Sequence, residues 1–151
     1  LAYLALKKNY SVDFVEYGPF YKSHRVEGDK IVLTFDSVGS GFMTGKEGLL
    51  DSFVIAGKDG DFVWADTVIE HDSVVVSAKG ISDPVAVRYA WAMNPSQRNL
   101  LYNKEGIPAS PFRTDDWPLF DAGNYVPKVQ VNPEKPSDYN PLPLKRPPMT
   151  Q

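Results

Sequence analysis

The sequence predicts a mainly β protein: an antiparallel β-sandwich of the jelly-roll or immunoglobulin-like type, with a short N-terminal helix and an extended, proline-rich C-terminal tail. Three observations lead to this fold class. Apolar residues alternate with a period of two in several short runs. Turn-forming residues separate these runs at intervals of about 10–15 residues, as in sandwiches built from short strands. Seven of the 13 prolines lie in the last 31 residues, a composition that disfavours a packed core there.

The chain divides into three predicted parts. Residues 1–10 place Leu1 and Leu4 on one side at helical spacing, which predicts a terminal helix that must dock onto another element. Residues 11–120 form the predicted sandwich. Residues 121–151 form the predicted tail, of polyproline-like extended chain.

The clearest strands of the predicted sandwich are five runs of alternating apolar residues, at 30–36, 52–57, 61–70, 73–78 and 85–92. Successive side chains of a strand point to opposite faces of a sheet, so each run has one predicted core face. On that face lie Phe62, Trp64 and Val68 in the third run, and Val85, Val87, Tyr89 and Trp91 in the last. We expect Trp64 and Trp91 to lie between the two sheets.

The acidic balance of the chain excludes some classes of partner. The formal net charge is −3, whereas nucleic acids and anionic membranes are bound by basic patches. No apolar run approaches the ~18 residues of a transmembrane helix. The chain contains no cysteine, which excludes disulfides and thiolate metal sites.

Histidine, the usual general base, occurs at only two positions. His71 lies beside Asp72 and Ser73, but neighbours in one turn point in different directions, whereas triad residues converge from separate segments. His24 is predicted to lie on the surface or against a loop, and two isolated histidines make a poor metal site. Ser40, between two glycines, has no base near it in the sequence. The sequence therefore predicts no catalytic residue, no metal and no cofactor.

Arg88 interrupts the last apolar run and points away from its core face. A salt bridge, or an apolar stem lying along the surface with the charged head in water, is the simplest interpretation of this arginine. Contact with a ligand is the alternative. Asp115 and Asp116 stand before a Trp-Pro pair and are predicted to solvate a turn.

Four strings, in order along the chain, carry a resemblance to a known family. They are GPFYKSHRVEGDKIVLTFDSVGSGF (18–42), FVIAGKDGDFVWADTVIEHDSVVVS (53–77), VRYAWAMNP (87–95) and NLLYNKEGIPASPFRTDDWP (99–118). Together they resemble the C-terminal end of bacterial sialate O-acetylesterases. These are multi-domain carbohydrate esterases with an SGNH-hydrolase catalytic domain and accessory β-domains.

The resemblance implies that residues 1–10 are the end of the catalytic domain of a longer parent chain. The family's Asp-x-x-His segment precedes that helix, and its serine nucleophile lies much further upstream. Neither block has a counterpart in these residues. The resemblance thus implies an inactive chain on its own, and a parent that is a secreted or periplasmic serine O-acetylesterase.

The function implied by the resemblance is that of a C-terminal accessory domain of a carbohydrate O-acetylesterase. Its partner would be the SGNH catalytic domain of the parent, and its loops would help to shape the cleft for an acetylated carbohydrate. Segment 99–118 is rich in aromatic residues and fixed by prolines, so it is the predicted inter-domain or carbohydrate contact. The contact residues expected in it are Tyr102, Arg113, Asp115 and Trp117.

Two other functions remain open from the sequence. A free-standing carbohydrate-binding module would stack sugars on loop aromatics, for which the candidates are Tyr17, Tyr21, Phe42, Tyr102 and Trp117. A structural or oligomerisation domain would instead use its N-terminal helix to cover its own sandwich or to pair with a second copy.

Overall fold

The computed structural model describes residues 15–43, 50–91 and 99–117, which form ten β-strands. The strands are β1 (Phe20–Glu27), β2 (Lys30–Asp36), β3 (Phe42–Met43), β4 (Phe53–Ala56), β5 (Phe62–Trp64), β6 (Asp66–Glu70), β7 (Ser73–Ser77), β8 (Ala86–Tyr89), β9 (Tyr102–Asn103) and β10 (Phe112–Arg113). The predicted helix at 1–10 and tail at 121–151 lie outside the described residues. Within the described ranges, no helix has the length and apolar character needed to cross a bilayer.

Two four-stranded antiparallel sheets form the body of the domain. Sheet A has the strand order β1-β2-β7-β6, and sheet B the order β10-β8-β4-β5. A separate antiparallel pair, β3 with β9, lies beside them. The predicted fold class, a mainly β sandwich, is confirmed.

The core lies between the two sheets and is centred on aromatic rings of sheet B. The ring of Phe53 is 4.6 Å from that of Tyr89, and Phe112 lies 5.6 Å from Tyr89, measured between ring centroids. Sheet A packs the alternate residues Ile31, Leu33, Phe35, Val74 and Val76 against these rings. Burying one such side chain stabilises the fold by about 2–3 kcal/mol, so this cluster is the main source of stability.

The predicted strand at 61–70 is instead two strands that belong to different sheets. The chain passes from β5 in sheet B to β6 in sheet A at Ala65, whose buried N–H donates to the carbonyl of Phe53. The predicted core face of this run is wrong. The core side is the other one, with Ala65 and Ile69, while Val68 is 57% exposed and Trp64 lies on the outer side of sheet B.

For the last predicted run, the core residues at its centre are predicted correctly, and those at its two ends are not. Val87 and Tyr89 lie in the core as predicted, but Val85 precedes β8 and is 37% exposed. Ala90 has a φ of 49° and lies in the core itself, so the two-residue alternation stops there. Trp91 is consequently half-buried beside Arg113 and not between the sheets.

Gly18 lies against the backbone of Pro108, where an added Cβ would overlap the Pro108 carbonyl oxygen. We expect Gly18→Ala to lower the free energy of unfolding by about 2 kcal/mol or more, because backbone atoms must move to relieve the overlap. Urea denaturation of the whole chain measures the change. Gly57→Ala is the matched control, since the nearest atoms there would lie 3.5 Å from the new Cβ. Equal losses in the two variants would contradict the close approach.

Candidate functional site

The outer face of sheet B is unusual because other side chains of the domain bury much of it. An antiparallel sheet in a sandwich commonly presents its outer face to water. Here Val54, Ala56, Phe62 and Ala86 form a second buried apolar cluster on that face. Two half-buried tryptophans, Trp64 and Trp117, pack against this cluster.

A buried ion pair crosses the same face. Arg88 donates from Nε to Asp115 Oδ2 and from Nη2 to Oδ1, both at 2.8 Å. The side chains are only 4% and 2% exposed, and the Arg88 guanidinium lies 4.2 Å from the centroid of Phe62. A bidentate pair of this kind satisfies both charges, which would otherwise be very costly to bury.

The salt-bridge interpretation of Arg88 agrees with the structure, whereas the solvated-turn interpretation of Asp115 is wrong. Its carboxylate is buried under Arg88, and only Asp116 is exposed. The two partners are 27 residues apart, so no local pattern links them. The sequence did contain one signal for this buried ion pair, which is Arg88 itself. A guanidinium in the middle of a buried strand requires a carboxylate from elsewhere.

Arg113 and Trp117 complete the cluster around Asp115. Arg113 Nη1 donates to the Trp117 carbonyl at 2.8 Å and lies 3.6 Å from Asp115 Oδ1. The Trp117 N–H donates to the same carboxylate oxygen at 3.3 Å. The guanidinium of Arg113 also lies 5.7 Å from the centroid of the Trp91 ring. Two guanidinium groups therefore share one carboxylate at the edge of sheet B.

Of the four contact residues expected in segment 99–118, the structure brings three together and places the fourth elsewhere. Arg113, Asp115 and Trp117 form the cluster described above. Tyr102 belongs to the β3–β9 pair, where it is opposite Met43. Two hydrogen bonds next to strand β10 fix the position of the cluster. The Thr114 N–H donates to the Val87 carbonyl, and the Val87 N–H donates to the Thr114 hydroxyl.

The Nε1–H group of Trp64 is buried and has no hydrogen-bond partner among the described residues. Trp64 lies directly opposite Val54 in the register of β4 and β5, so its ring is on the outer face of sheet B. An unpaired buried donor costs about 1–3 kcal/mol. This face therefore contains a donor that the described part of the chain leaves unsatisfied.

Neither histidine is hydrogen-bonded to a serine within the described ranges. The hydroxyl of Tyr21 lies 2.7 Å from Nδ1 of His24. His71 is exposed in the turn between β6 and β7, with a φ of 54°. In the same part of the chain, no group of three or more His, Asp or Glu side chains is arranged to hold a metal ion.

Ser40 has an acidic neighbour that the sequence did not indicate. Its hydroxyl and its backbone N–H both donate to Glu105 Oε1, at 2.6 and 3.0 Å, and the hydroxyl bond lowers the pKa of Glu105. A lowered pKa makes a carboxylate a weaker base. The contact holds the loop after β2 against the turn after β9.

The loop aromatics expected of a sugar-binding module are mostly engaged in packing. Phe42 is buried in the core, Tyr21 stacks on Phe112, and Trp117 packs on Phe62. Of the five candidates only Tyr17 is exposed, while Tyr102 is half-buried. The geometry thus gives the free-standing module little support.

Comparisons with known proteins gave a likeness to a solved esterase. No protein-family model and no curated protein matches the chain. A solved carbohydrate acetylesterase from Xanthomonas citri is 40% identical, with a TM-score of 0.71, over 78% of this chain and 27% of the esterase. The chain therefore spans about a quarter of the length of that esterase. This likeness relates the chain to the carbohydrate esterases.

Proposed function

We propose that this chain is the C-terminal accessory β-domain of a carbohydrate O-acetylesterase and supports its catalytic domain. The observation that carries the proposal is the 40% identical match of 78% of the chain to about a quarter of an acetylesterase. The described residues supply the second argument, because neither histidine in them is bonded to a serine. A β-domain without that pair fits a supporting role better than a catalytic one.

The finer identity of the parent is also a proposal. The strings at 18–42, 53–77, 87–95 and 99–118 support a sialate O-acetylesterase with an SGNH catalytic domain, secreted or periplasmic. In the parent, an activated serine would attack the acetyl carbonyl and release the sugar hydroxyl. Water would then cleave the acyl-enzyme to acetate and free serine.

Activity measurements separate the accessory domain from an enzyme. The 151-residue chain alone should hydrolyse p-nitrophenyl acetate no faster than an unrelated, non-enzymatic protein at equal concentration. The longer polypeptide that carries these residues should hydrolyse it well above that level. The coding sequence upstream of Leu1 should contain an Asp-x-x-His block.

Turnover by the isolated chain would contradict the proposal if His71→Ala or Ser73→Ala abolished it. That result would assign chemistry to the turn between β6 and β7. An inactive longer polypeptide without the Asp-x-x-His block would also contradict it.

A further inference from the structure

We propose that the outer face of sheet B is the surface through which this domain docks onto the catalytic part of the esterase. The inference rests on the proposed function and identifies the partner-facing side of the domain. The docking face consists of Trp64, Trp91, Arg113 and Trp117, set around the buried pair Arg88–Asp115.

All three tryptophans of the sequence lie at this one face or its edge. Trp64 and Trp117 pack on the apolar cluster, and Trp91 lies against Arg113. Each of the three residues is half-buried in the isolated chain. Tryptophan and arginine are the residues most enriched at the energetic centres of protein interfaces.

The outer face of sheet A offers a contrast within the same domain. One row of this face is polar, with Ser23 opposite Thr34 and Thr34 opposite Ser73, and the next row places Val32, Val75 and Val68 beside Arg25. Arg25 and Glu27 form an exposed ion pair on the same sheet. A mixed face with exposed charges is common for an antiparallel sheet in water. The two faces differ chiefly in tryptophan, which lies at sheet B and its edge.

One group on the docking face has unused hydrogen-bonding capacity that a partner can reach. Arg113 has five N–H donors, and its contacts are the Trp117 carbonyl and the Asp115 carboxylate. An approaching surface that carries carbonyl or carboxylate oxygens would pair with the remaining donors of Arg113, whose side chain is 25% exposed.

The length of the matched esterase identifies the occupant. Arg88 and Arg113 share the carboxylate of Asp115, and the adjacent Asp116 is exposed, so the face carries charges of both signs. The match covers 27% of the solved esterase, which leaves most of that chain outside the matched region. The rest of the esterase is thus a large partner held at high effective concentration.

Cysteine footprinting tests the docking face, since the chain has no cysteine of its own. Arg113→Cys and, as the matched control on sheet A, Val68→Cys are each made in the isolated chain and in the longer esterase. A thiol reagent is added and the labelled peptide is followed by mass spectrometry. The thiol at position 113 should react at least ten times more slowly in the esterase than in the isolated chain. The thiol at position 68 should react at rates that differ by less than twofold between the esterase and the isolated chain.

The possible outcomes distinguish this inference from the proposed function. Equal labelling at position 113 in an active esterase, or protection at position 68 alone, would overturn the docking face and leave the accessory role standing. A longer polypeptide without acetylesterase activity would contradict both the docking face and the proposed accessory role. If Arg113→Cys fails to fold, Asp116→Cys repeats the measurement beside the cluster, because Asp116 is exposed and makes none of the cluster's ion pairs.

Discussion

Asp115→Asn should lower the free energy of unfolding by about 3–5 kcal/mol, which would make it among the most destabilising polar substitutions in the described domain. Asparagine keeps the shape of the side chain but leaves the Arg88 guanidinium buried without a counter-charge. The desolvation of that charge is then no longer offset. Urea denaturation at neutral pH, compared with the unmodified chain, measures the loss.

Asp36→Asn is the matched control for this prediction. Asp36 pairs with Lys22 at 2.7 Å, and both side chains are 59% exposed. Exposed pairs of this kind are worth less than about 1 kcal/mol. If the two asparagine variants lost the same stability, the buried ion pair would have no special role.

The double variant Arg88→Met with Asp115→Leu separates charge burial from packing. Replacing both partners by apolar groups removes the desolvation penalty as well as the attraction, so the double variant should be more stable than either single variant. Strictly additive losses would mean that the side chains act through packing alone.

The relation between sequence and fold is clearest in the strands whose core face follows a strict alternation. In β2 and β7, every second residue is buried under the opposite sheet, so the period of two was sufficient to predict them. Strand β1 is the longest and is not among the five predicted runs. It is an edge strand of largely exposed side chains, of which only Tyr21 is half-buried. No apolar alternation exists there to be read.

The wrong face assigned to residues 61–70 has a physical origin. Sheet B is covered on both sides, so large apolar residues occur on both faces of β5 and the alternation no longer identifies the core.

The candidate cluster was predicted only in part for a related reason. Segment 99–118 was indicated by its aromatic residues, but the pairing of Asp115 with Arg88 depends on how the chain returns after β10. Contacts of that separation leave no periodic signal in the sequence.

Tyr89 should make the domain sensitive to alkali. Burial is the main cause that raises the pKa of Tyr89 from 10.0 to about 12; the charge of Tyr102 adds to this, and the N–H of Leu101, which donates to the Tyr89 hydroxyl at 2.9 Å, opposes it. The folded chain thus keeps this proton at a pH where the unfolded chain releases it. The associated stability is fully present below about pH 10 and is lost as the pH rises through about 12. The loss amounts to about 1.4 kcal/mol per pH unit, or about 3 kcal/mol over the whole window.

Urea denaturation at several pH values from 8 upward tests this dependence on the unmodified chain and on Tyr89→Phe. The phenylalanine variant should be less stable near neutral pH, because the buried N–H of Leu101 loses its acceptor, at a cost of about 1–3 kcal/mol. Its stability should nevertheless decline less steeply above pH 10, since the ionising group is gone. Val74→Ala is the control: it removes buried core volume of sheet A, costs a comparable amount and retains the phenol, so its decline should parallel that of the unmodified chain. Parallel declines in all three proteins would show that ionisation of Tyr89 does not govern the alkaline transition.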